Sequence, residues 1–484
     1  MADSRRASSR KLKTFERRVE IQTRIIQFLS SILLGLLFTH LLSNDQFATA
    51  QNYVLFLIFF SIGLWVTEAI PPFAVGIMIV GFLVFFLGQP EIAQESGIKV
   101  EEFVNTWSNS VIWLLLGGFF LAEGMRKTGL DFDIFKTVMS RFSNNPRILL
   151  LALMLGTAIA SMVMSNTATT AMMLAAIAPV IHQIGQDSKF SKSVLLGIPA
   201  AASIGGMGTI IGSPPNAIAV DTINRIEGLP FQVGFFEWMI FGTPVAILLT
   251  IFFWFILNRK YPPENVKINL QELEEQHQTD DDHRIKEERK TRKSIVLGVM
   301  MVTVLLWLTD GFHPIPMAAV SGIPIIIFTM VSIISSDDVR QLPWDTLMLV
   351  AGGLSLGLAI QETGLADYFI DQLKNVNFSG VIMLVIFAVV TVVASNIMSN
   401  TAAAAILIPA AGLWGGLNPA LFPTVIGLCA SCALFLPVST PPNAIAYSTG
   451  MVGQSEFRLG GVVIGISGPI LIILWMSGMM MVMS

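Results

Sequence analysis

The feature that most constrains this chain is the recurrence of apolar stretches of about 18–25 residues, from Ile25 to the C-terminus. A helix of about 20 residues is long enough to cross the hydrocarbon core of a bilayer. Only 13% of the residues are charged, against roughly 25% in soluble domains. The stretches do not alternate apolar and polar faces, as the helices of a soluble protein would. The sequence therefore predicts an all-α polytopic membrane protein.

We expect about eleven transmembrane helices, and two further apolar pieces are predicted as re-entrant hairpins. The first helix follows a basic segment and precedes Ala48–Ala50, which resembles a signal-peptidase site. The apolar run is long for a signal peptide, which favours a retained helix. The expected helices lie at residues 25–42, 53–69, 72–88, 111–125, 194–223, 234–257, 294–310, 315–334, 345–361, 422–450 and 461–482, and the hairpins at about 147–182 and 380–416.

The positive charges predict the orientation of the chain in a plasma (inner) membrane. If the basic segment 1–24 is cytoplasmic and both hairpins return to the side they came from, only three of the 29 basic residues face outward: Lys99, Arg225 and Lys374. Cytoplasmic loops are enriched in Lys and Arg, so this arrangement is favoured over one in which a hairpin crosses once. It places the polar linker at 258–293 in the cytoplasm and the C-terminus outside.

Four signatures occur twice in the same order, which predicts an internal repeat. After a first helix at 25–52, repeat 1 spans 53–257, with a hairpin at 147–182 and a broken helix at 194–223. Repeat 2 spans 294–484, with a hairpin at 380–416 and a broken helix at 422–450. The matched signatures are Leu64–Glu68 with Leu306–Asp310, Gly117–Leu130 with Gly352–Leu365, Met164–Ala168 with Met398–Ala402, and Pro214–Ala219 with Pro441–Ala446.

The repeats are expected to have opposite orientations in the membrane. Each contains about five crossings and one hairpin, and an odd number of crossings inserts the second copy upside down. Inverted repeats with broken helices are typical of secondary transporters, whose substrate sites lie near the midplane where the copies meet. A channel can also carry repeats, but broken helices in pairs favour a carrier.

The tips of the hairpins are the first candidate for binding. Ser165–Thr167 and Ser399–Thr401 each place three polar residues in an apolar stretch, where they must face protein or a water-filled cavity. A turn there would leave the returning arm with a free helix N-terminus, which attracts an anion. Substrate contacts are therefore predicted at Ser165, Asn166, Thr167, Ser399, Asn400 and Thr401.

The broken helices give the second candidate. Pro214 with Pro215, and Pro441 with Pro442, remove backbone donors and interrupt each span. We expect the following Asn216 and Asn443 to cap the second half of each helix, and we expect two more anion-binding helix ends, at Ser213 and Thr440. Four helix N-termini would then point towards the midplane.

Oxygen atoms near these breaks predict two sodium sites. Ser161 precedes Ser165 by four residues, and Ser395 precedes Ser399 by four, so each pair is expected to share a helical face. Asn166 or Asn400 and opened backbone carbonyls would complete each cage. The predicted sodium ligands are Ser161, Ser165, Asn166 and Gly212 in repeat 1, and Ser395, Asn400 and Ser439 in repeat 2. No arginine lies in these segments, so co-bound sodium would supply the positive charge for an anion.

These motifs resemble those of the divalent anion/sodium symporter family, from about Leu55 to the last helix. The resemblance implies sodium-coupled import of C4-dicarboxylates such as succinate, malate and fumarate, with Na⁺ as the co-transported ion. It also implies a homodimer in which a transport domain moves against a scaffold domain, as in an elevator. Substrate would touch both hairpin tips. The basic segment 1–24 is not explained by this resemblance.

Three other functions were weighed against this one. Some relatives exchange dicarboxylates without sodium, and others carry sulfate or tricarboxylates. An intramembrane enzyme needs a nucleophile with a base or paired acids at membrane depth, and none of the five histidines falls within a signature. We therefore expect a transporter rather than an enzyme, with no nucleic-acid partner.

Overall fold

The computed structural model describes residues 2–44, 47–133, 137, 145–185, 188–226, 229, 231–262, 283–365, 368, 379–411 and 418–483. Throughout these ranges the regular secondary structure is helical, with no strand. This confirms the all-α prediction. Most of the predicted linker, residues 263–282, and the last residues of the second hairpin, 412–416, lie outside the described residues.

The described part of the chain contains 21 α-helices, numbered here in order. Those before the polar linker are α1 Ala2–Leu42, α2 Thr49–Thr67, α3 Pro72–Leu87, α4 Pro90–Ser96, α5 Glu101–Asn105, α6 Ser110–Thr128, α7 Pro146–Ser161, α8 Asn166–Ile184, α9 Lys189–Gly205, α10 Pro214–Asn224 and α11 Phe235–Lys260. Those after it are α12 His283–Leu308, α13 Met317–Val320, α14 Gly322–Met330, α15 Ser336–Arg340, α16 Trp344–Glu362, α17 Gly380–Ile397, α18 Asn400–Ala411, α19 Leu421–Cys429, α20 Pro441–Ser448 and α21 Gln454–Met483.

Nine helices in the described ranges are long and apolar enough to cross a membrane, or ten if α3 and α4, bent by 88°, form one span. The chain is therefore a multi-pass membrane protein. The predicted span 315–334 is divided into α13 and α14, which together form a shorter apolar segment. Helix α17, predicted as a hairpin arm, is itself among the nine. Length alone therefore does not separate hairpin arms from full crossings.

The first helix is longer than the predicted span. Helix α1 runs without interruption from Ala2 to Leu42, so the basic segment 1–24 and the apolar run share one helix. Only 11% of the apolar window in Val19–Leu42 is buried within the protein. The basic segment is thus the start of the first helix and is not separated from it by a break.

Contacts divide the chain into two compact units. The first comprises Met1–Trp107 and Met348–Val376. In it, α1 packs on α2 and α2 packs on α3. Helices α3 and α16 approach closely at Gly76 and Gly352. A Cβ atom on Gly352 would lie only 2.3 Å from the Cα atom of Gly76. Glycine permits this backbone contact, as in other tightly packed membrane helices.

The second unit comprises Ser108–Leu347 and Asn377–Ser484 and contains every predicted site residue. Its most buried span is Lys189–Gly208, of which 94% is buried. Helix α9 in this span packs against α7, α8 and α11. The residues around the first break therefore lie deep within this unit.

Candidate functional site

Each predicted hairpin is divided into two helices at its polar triplet. Helix α7 ends at Ser161, and the Ser165 side chain caps α8 by accepting a hydrogen bond from the Ala168 N–H at 3.2 Å. Ser399 accepts the Ala402 N–H at 3.2 Å in the same way at the start of α18. Such caps satisfy N–H groups that have no partner inside the helix.

The expectation that the paired serines share a helical face is wrong. Ser161 is the last residue of α7, whereas Ser165 lies beyond the turn as the cap of α8. Ser395 likewise belongs to α17, while Ser399 caps α18. The chain turns between the two serines of each pair, because the polar triplet begins a new helix. Residues four apart share a helical face only within one helix, so the spacing does not place these serines together.

Both broken helices are interrupted as predicted, with the prolines at the first two positions of α10 and α20. The predicted caps, however, are wrong. Ser213 and Thr440 occupy the N-cap positions. The Thr440 hydroxyl accepts the Asn443 N–H at 3.3 Å, whereas the Ser213 side chain makes no capping hydrogen bond. A helix that begins with two prolines needs its cap before them, so Asn216 and Asn443 already lie inside the first turn.

The two asparagines instead hold the unwound segments. The Asn216 Nδ2 atom donates to the carbonyl oxygens of Gly206 at 2.8 Å and Thr209 at 2.7 Å. Asn443 Nδ2 similarly contacts the carbonyls of Leu434 at 3.4 Å and Leu436 at 3.1 Å. Each side chain therefore satisfies carbonyls that lost their helical partners at the break.

In repeat 1, oxygen atoms from three elements converge. Ser161 Oγ lies 2.6 Å from Asn166 Oδ1 and 2.8 Å from the carbonyl oxygen of Ala202, and Ser161 and Ala202 are fully buried. A hydroxyl carries one proton, so it cannot donate to both acceptors at once. One acceptor in this buried set is therefore available to another positive partner.

Two glycines complete this oxygen cluster. A Cβ atom on Gly206 would lie 2.7 Å from Asn166 Oδ1 and 3.0 Å from the Gly212 carbonyl oxygen. A Cβ atom on Gly212 would lie 2.7 Å from the Gly206 carbonyl oxygen and 3.1 Å from that of Ser161. The atoms nearest to these two positions are thus mostly oxygens, together with Asn166 Nδ2 and the Cα atom of Gly206. Opened carbonyls and hydroxyls of this kind coordinate sodium in transporters with broken helices.

In repeat 2, the corresponding oxygens are buried but unpaired. Ser395 Oγ and Asn400 Oδ1 have no hydrogen-bond partner among the described residues. Leaving such an atom unpaired costs about 1–3 kcal/mol, and a cation would remove that cost. The Ser439 hydroxyl instead bonds within its own segment, to the carbonyl oxygens of Ala433 at 3.1 Å and Leu436 at 2.8 Å.

The repeats pack on each other crosswise. Helix α10, after the first break, packs against α18 of the second hairpin, and α20, after the second break, packs against α8 of the first hairpin. The predicted anion-binding residues differ in exposure: Thr167 is exposed and Thr401 is buried. Ser213 and Thr440 are buried as well. None of these residues is charged, so an anion there would be bound by hydroxyls, amides and helix N-termini.

Sequence reasoning missed several residues that shape the site. Ala202 and Gly206 contribute through the backbone, and Trp238 donates its Nε1–H to the Met207 carbonyl at 3.0 Å. Asn396 bonds the second unwound segment. The three glycines within residues 205–208 could have indicated Gly206 from the sequence. No sequence pattern indicates the contacts of Trp238 with Met207 or of Ser161 with Ala202, which are 31 and 41 residues apart.

Broken helices in a chain of membrane-length helices are typical of integral membrane transporters. The chain belongs to the citrate transporter family (CitMHS), whose family model matches residues 62–413. This confirms the resemblance drawn from the motifs, and the family's activity confirms a transporter rather than an enzyme.

Individual relatives agree with this family. The "Sodium-dependent dicarboxylate transporter SdcS" of Staphylococcus aureus (strain USA300) is 29% identical over 480 residues, covering 91% of this chain and 88% of that protein. Two solved structures share the fold at 12% identity. Alcanivorax borkumensis YdaH, a transporter, has a TM-score of 0.59 and covers 84% of this chain and 98% of its own. Neisseria gonorrhoeae MtrF, placed in a class of antimetabolite efflux pumps, has a TM-score of 0.55 with 86% and 96% covered.

Proposed function

We propose that this protein is a sodium-coupled symporter that imports C4-dicarboxylates such as succinate, malate and fumarate. The observation that carries the proposal is the oxygen cluster of repeat 1, where Ser161, Asn166 and the carbonyls of two glycines surround a space without a cationic side chain. A sodium ion suits this set because it accepts several oxygen ligands from opened backbone. The unpaired oxygens of Ser395 and Asn400 support a second such ion.

The anion would bind at the helix starts beside these cations. Helix N-termini and hydroxyls attract a carboxylate, but neutral groups alone hold a dianion weakly. Sodium ions bound nearby would add the missing positive charge. Coupling then follows from electrostatics, since cation and anion each bind better when the other is present.

The relatives favour dicarboxylate with sodium but leave other anions to be tested. The name of the staphylococcal relative specifies sodium and dicarboxylate, whereas the family description specifies citrate. A tricarboxylate or sulfate symporter and a sodium-independent dicarboxylate exchanger are therefore the alternatives. An exchanger needs no oxygen cage for a cation, so the cluster around Ser161 argues against it.

Ion pairs between distant helices support hairpins that return to their side of origin. Lys127 Nζ lies 2.7 Å from Asp338 Oδ1. This bond, together with hydrogen bonds from Ser335, lowers the pKa of Asp338 from 3.8 to about 2. Four predicted membrane crossings separate the two residues along the chain. For both residues to lie on the same side of the membrane, the first hairpin must contribute an even number of further crossings. Lys192 Nζ lies 2.9 Å from Glu456 Oε1. By the same argument, the second hairpin must also contribute an even number of crossings. This parity is expected for re-entrant hairpins within eleven spans, with the N-terminus inside and the C-terminus outside.

Movement and assembly are proposed from the family resemblance. The second unit, which contains both hairpins and both breaks, is the natural transport domain of an elevator. The remaining helices would form the scaffold and the dimer contact in the plasma membrane. Cross-linking of cysteine pairs between the units in two conformations would test the motion.

Uptake into proteoliposomes tests the proposed function. Radiolabelled succinate is supplied outside, with an inward sodium gradient or with choline replacing sodium. We expect saturable uptake that requires sodium and is competed by malate and fumarate. Uptake that ignores sodium but needs internal dicarboxylate would establish the exchanger. Uptake of citrate or sulfate in place of succinate would change the substrate assignment.

A further inference from the structure

The two unwound segments are held in different ways. In repeat 1 the segment at residues 206–213 has three hydrogen bonds to other elements. Trp238 Nε1 donates to the Met207 carbonyl at 3.0 Å, and the Thr243 hydroxyl donates to the Gly208 carbonyl at 2.9 Å, both from α11. The Thr209 hydroxyl donates to the Met162 carbonyl at the hairpin tip. This segment is thus fixed on two sides.

In repeat 2 the corresponding segment, residues 433–440, has one such bond among the described residues. The Phe435 N–H donates to Asn396 Oδ1 at 2.9 Å. Its remaining hydrogen bonds come from its own Ser439 and from Asn443 and Thr440 at the start of α20. Val438 in this segment is 78% exposed. The second segment is therefore less constrained than the first.

Asn396 is placed to control the second cation site. It follows Ser395 directly in α17 and lies four residues before Asn400. The side-chain oxygens of Ser395 and Asn400 are among the buried atoms without a hydrogen-bond partner in the described residues. Its Nδ2 atom donates to the Val392 carbonyl at 2.8 Å, which fixes the orientation of the amide. The amide oxygen therefore presents one rigid acceptor to the unwound backbone.

We propose that Asn396 is a positioning residue that sets the geometry of the repeat 2 cation site by tying the hairpin to the unwound segment at Phe435. This inference rests on the proposed sodium coupling. Asn396 would act through the backbone that it holds, since its Oδ1 accepts the Phe435 N–H and its Nδ2 donates to the Val392 carbonyl. In repeat 1 the same position is Met162, where a main-chain carbonyl makes the corresponding tie. The chemistry of the tie therefore differs between the repeats.

Removing the tie is expected to weaken sodium binding more than substrate binding. The variant Asn396→Leu replaces both polar atoms by methyl groups and so loses the acceptor. We expect the sodium concentration for half-maximal uptake to rise about three- to tenfold, the range for loss of one hydrogen bond. At saturating sodium, the succinate half-saturation concentration should stay within about twofold of wild type. Asn396→Asp retains an acceptor oxygen but loses the donation to the Val392 carbonyl, so its sodium half-saturation concentration should lie between those of the wild type and Asn396→Leu.

The controls separate positioning from folding. Val393→Ala alters an exposed side chain on the same helix and should leave sodium dependence unchanged. Sodium-induced thermal stabilisation in detergent gives a second readout that does not need transport, since a bound ion stabilises the folded state. If Asn396→Leu fails to insert, Asn396→Ala removes the acceptor without branching.

Two outcomes would overturn the inference in distinguishable ways. If wild type requires sodium but Asn396→Leu lowers only the maximal rate and amount of protein, Asn396 has a merely structural role. If wild type itself shows no sodium dependence, the proposed function fails and this inference fails with it.

Discussion

Placing one methyl group in the first oxygen cluster should impair sodium binding with little effect on folding. Gly206 has helical backbone angles, φ −56° and ψ −19°, so alanine fits the backbone without strain. Its Cβ atom would lie 2.7 Å from Asn166 Oδ1 and 3.0 Å from Asn166 Nδ2. A carbon and an oxygen in ordinary contact are about 3.3 Å or more apart. The Asn166 amide must therefore move by roughly half an ångström or more.

The magnitude follows from which atom moves. The end of the Asn166 side chain can shift, so the free energy of unfolding should fall by only about 1 kcal/mol, at the low end for overpacking. A cation would lose one of its oxygen partners, and an interaction with a charged group contributes about 1.5–3 kcal/mol. The sodium concentration for half-maximal succinate uptake should therefore rise about tenfold to a hundredfold.

The matched control is the same substitution where space is open. A Cβ atom on Gly298 in α12 has no neighbour within 4 Å, so Gly298→Ala should leave sodium dependence unchanged. Both variants are compared in proteoliposomes over a range of sodium concentrations, with thermal unfolding of the purified proteins alongside. Wild-type sodium dependence in Gly206→Ala would refute the assignment of this cluster as a cation site.

Three further predictions test other parts of the account. Asn166→Ala and Asn400→Ala should each abolish uptake while the protein remains folded and inserted, because each removes a predicted ligand; transport near the wild-type rate in either would show that the site is misplaced. Single cysteines at Thr167 and Thr401 should react with small thiol reagents added on opposite sides of the membrane, and labelling of both from one side under every condition would contradict the inverted repeat. Because Lys127 and Ser335 lower the pKa of Asp338 to about 2 in the folded protein, the stabilisation from these partners is complete above about pH 4 and is lost as the pH falls towards 2. The melting-temperature difference between wild type and Asp338→Asn should therefore shrink over that range, and a constant difference would show that this ion pair is not its source.

Local sequence predicted the helix starts but not their detailed chemistry. A polar triplet in an apolar stretch and a pair of prolines in a span each permit few backbone arrangements, so the starts of α8, α10, α18 and α20 followed from the sequence. The prediction that Asn216 caps the helix was wrong. An asparagine after two prolines can either cap the helix or bond the unwound carbonyls, and both kinds of partner lie nearby in the sequence. Only the position of Ser213 before the prolines decides between them.

Contacts between distant elements could not be predicted. Ser161 meets the Ala202 carbonyl across 41 residues, and Asn396 meets Phe435 across 39. No periodicity records such pairs, since they depend on how α9 and the hairpins pack. The number of spans was also uncertain from hydropathy, because α17 is as apolar as a crossing while α13 and α14 are short.

Measuring sodium and succinate fluxes in the same proteoliposomes tests the central claim most directly. Radioactive sodium entry is followed with and without external succinate, and succinate entry is followed in parallel. The account predicts that succinate increases sodium entry saturably, in a fixed ratio to its own uptake, and that Gly206→Ala raises the sodium concentration needed for both. Succinate entry without any additional sodium entry would contradict sodium coupling.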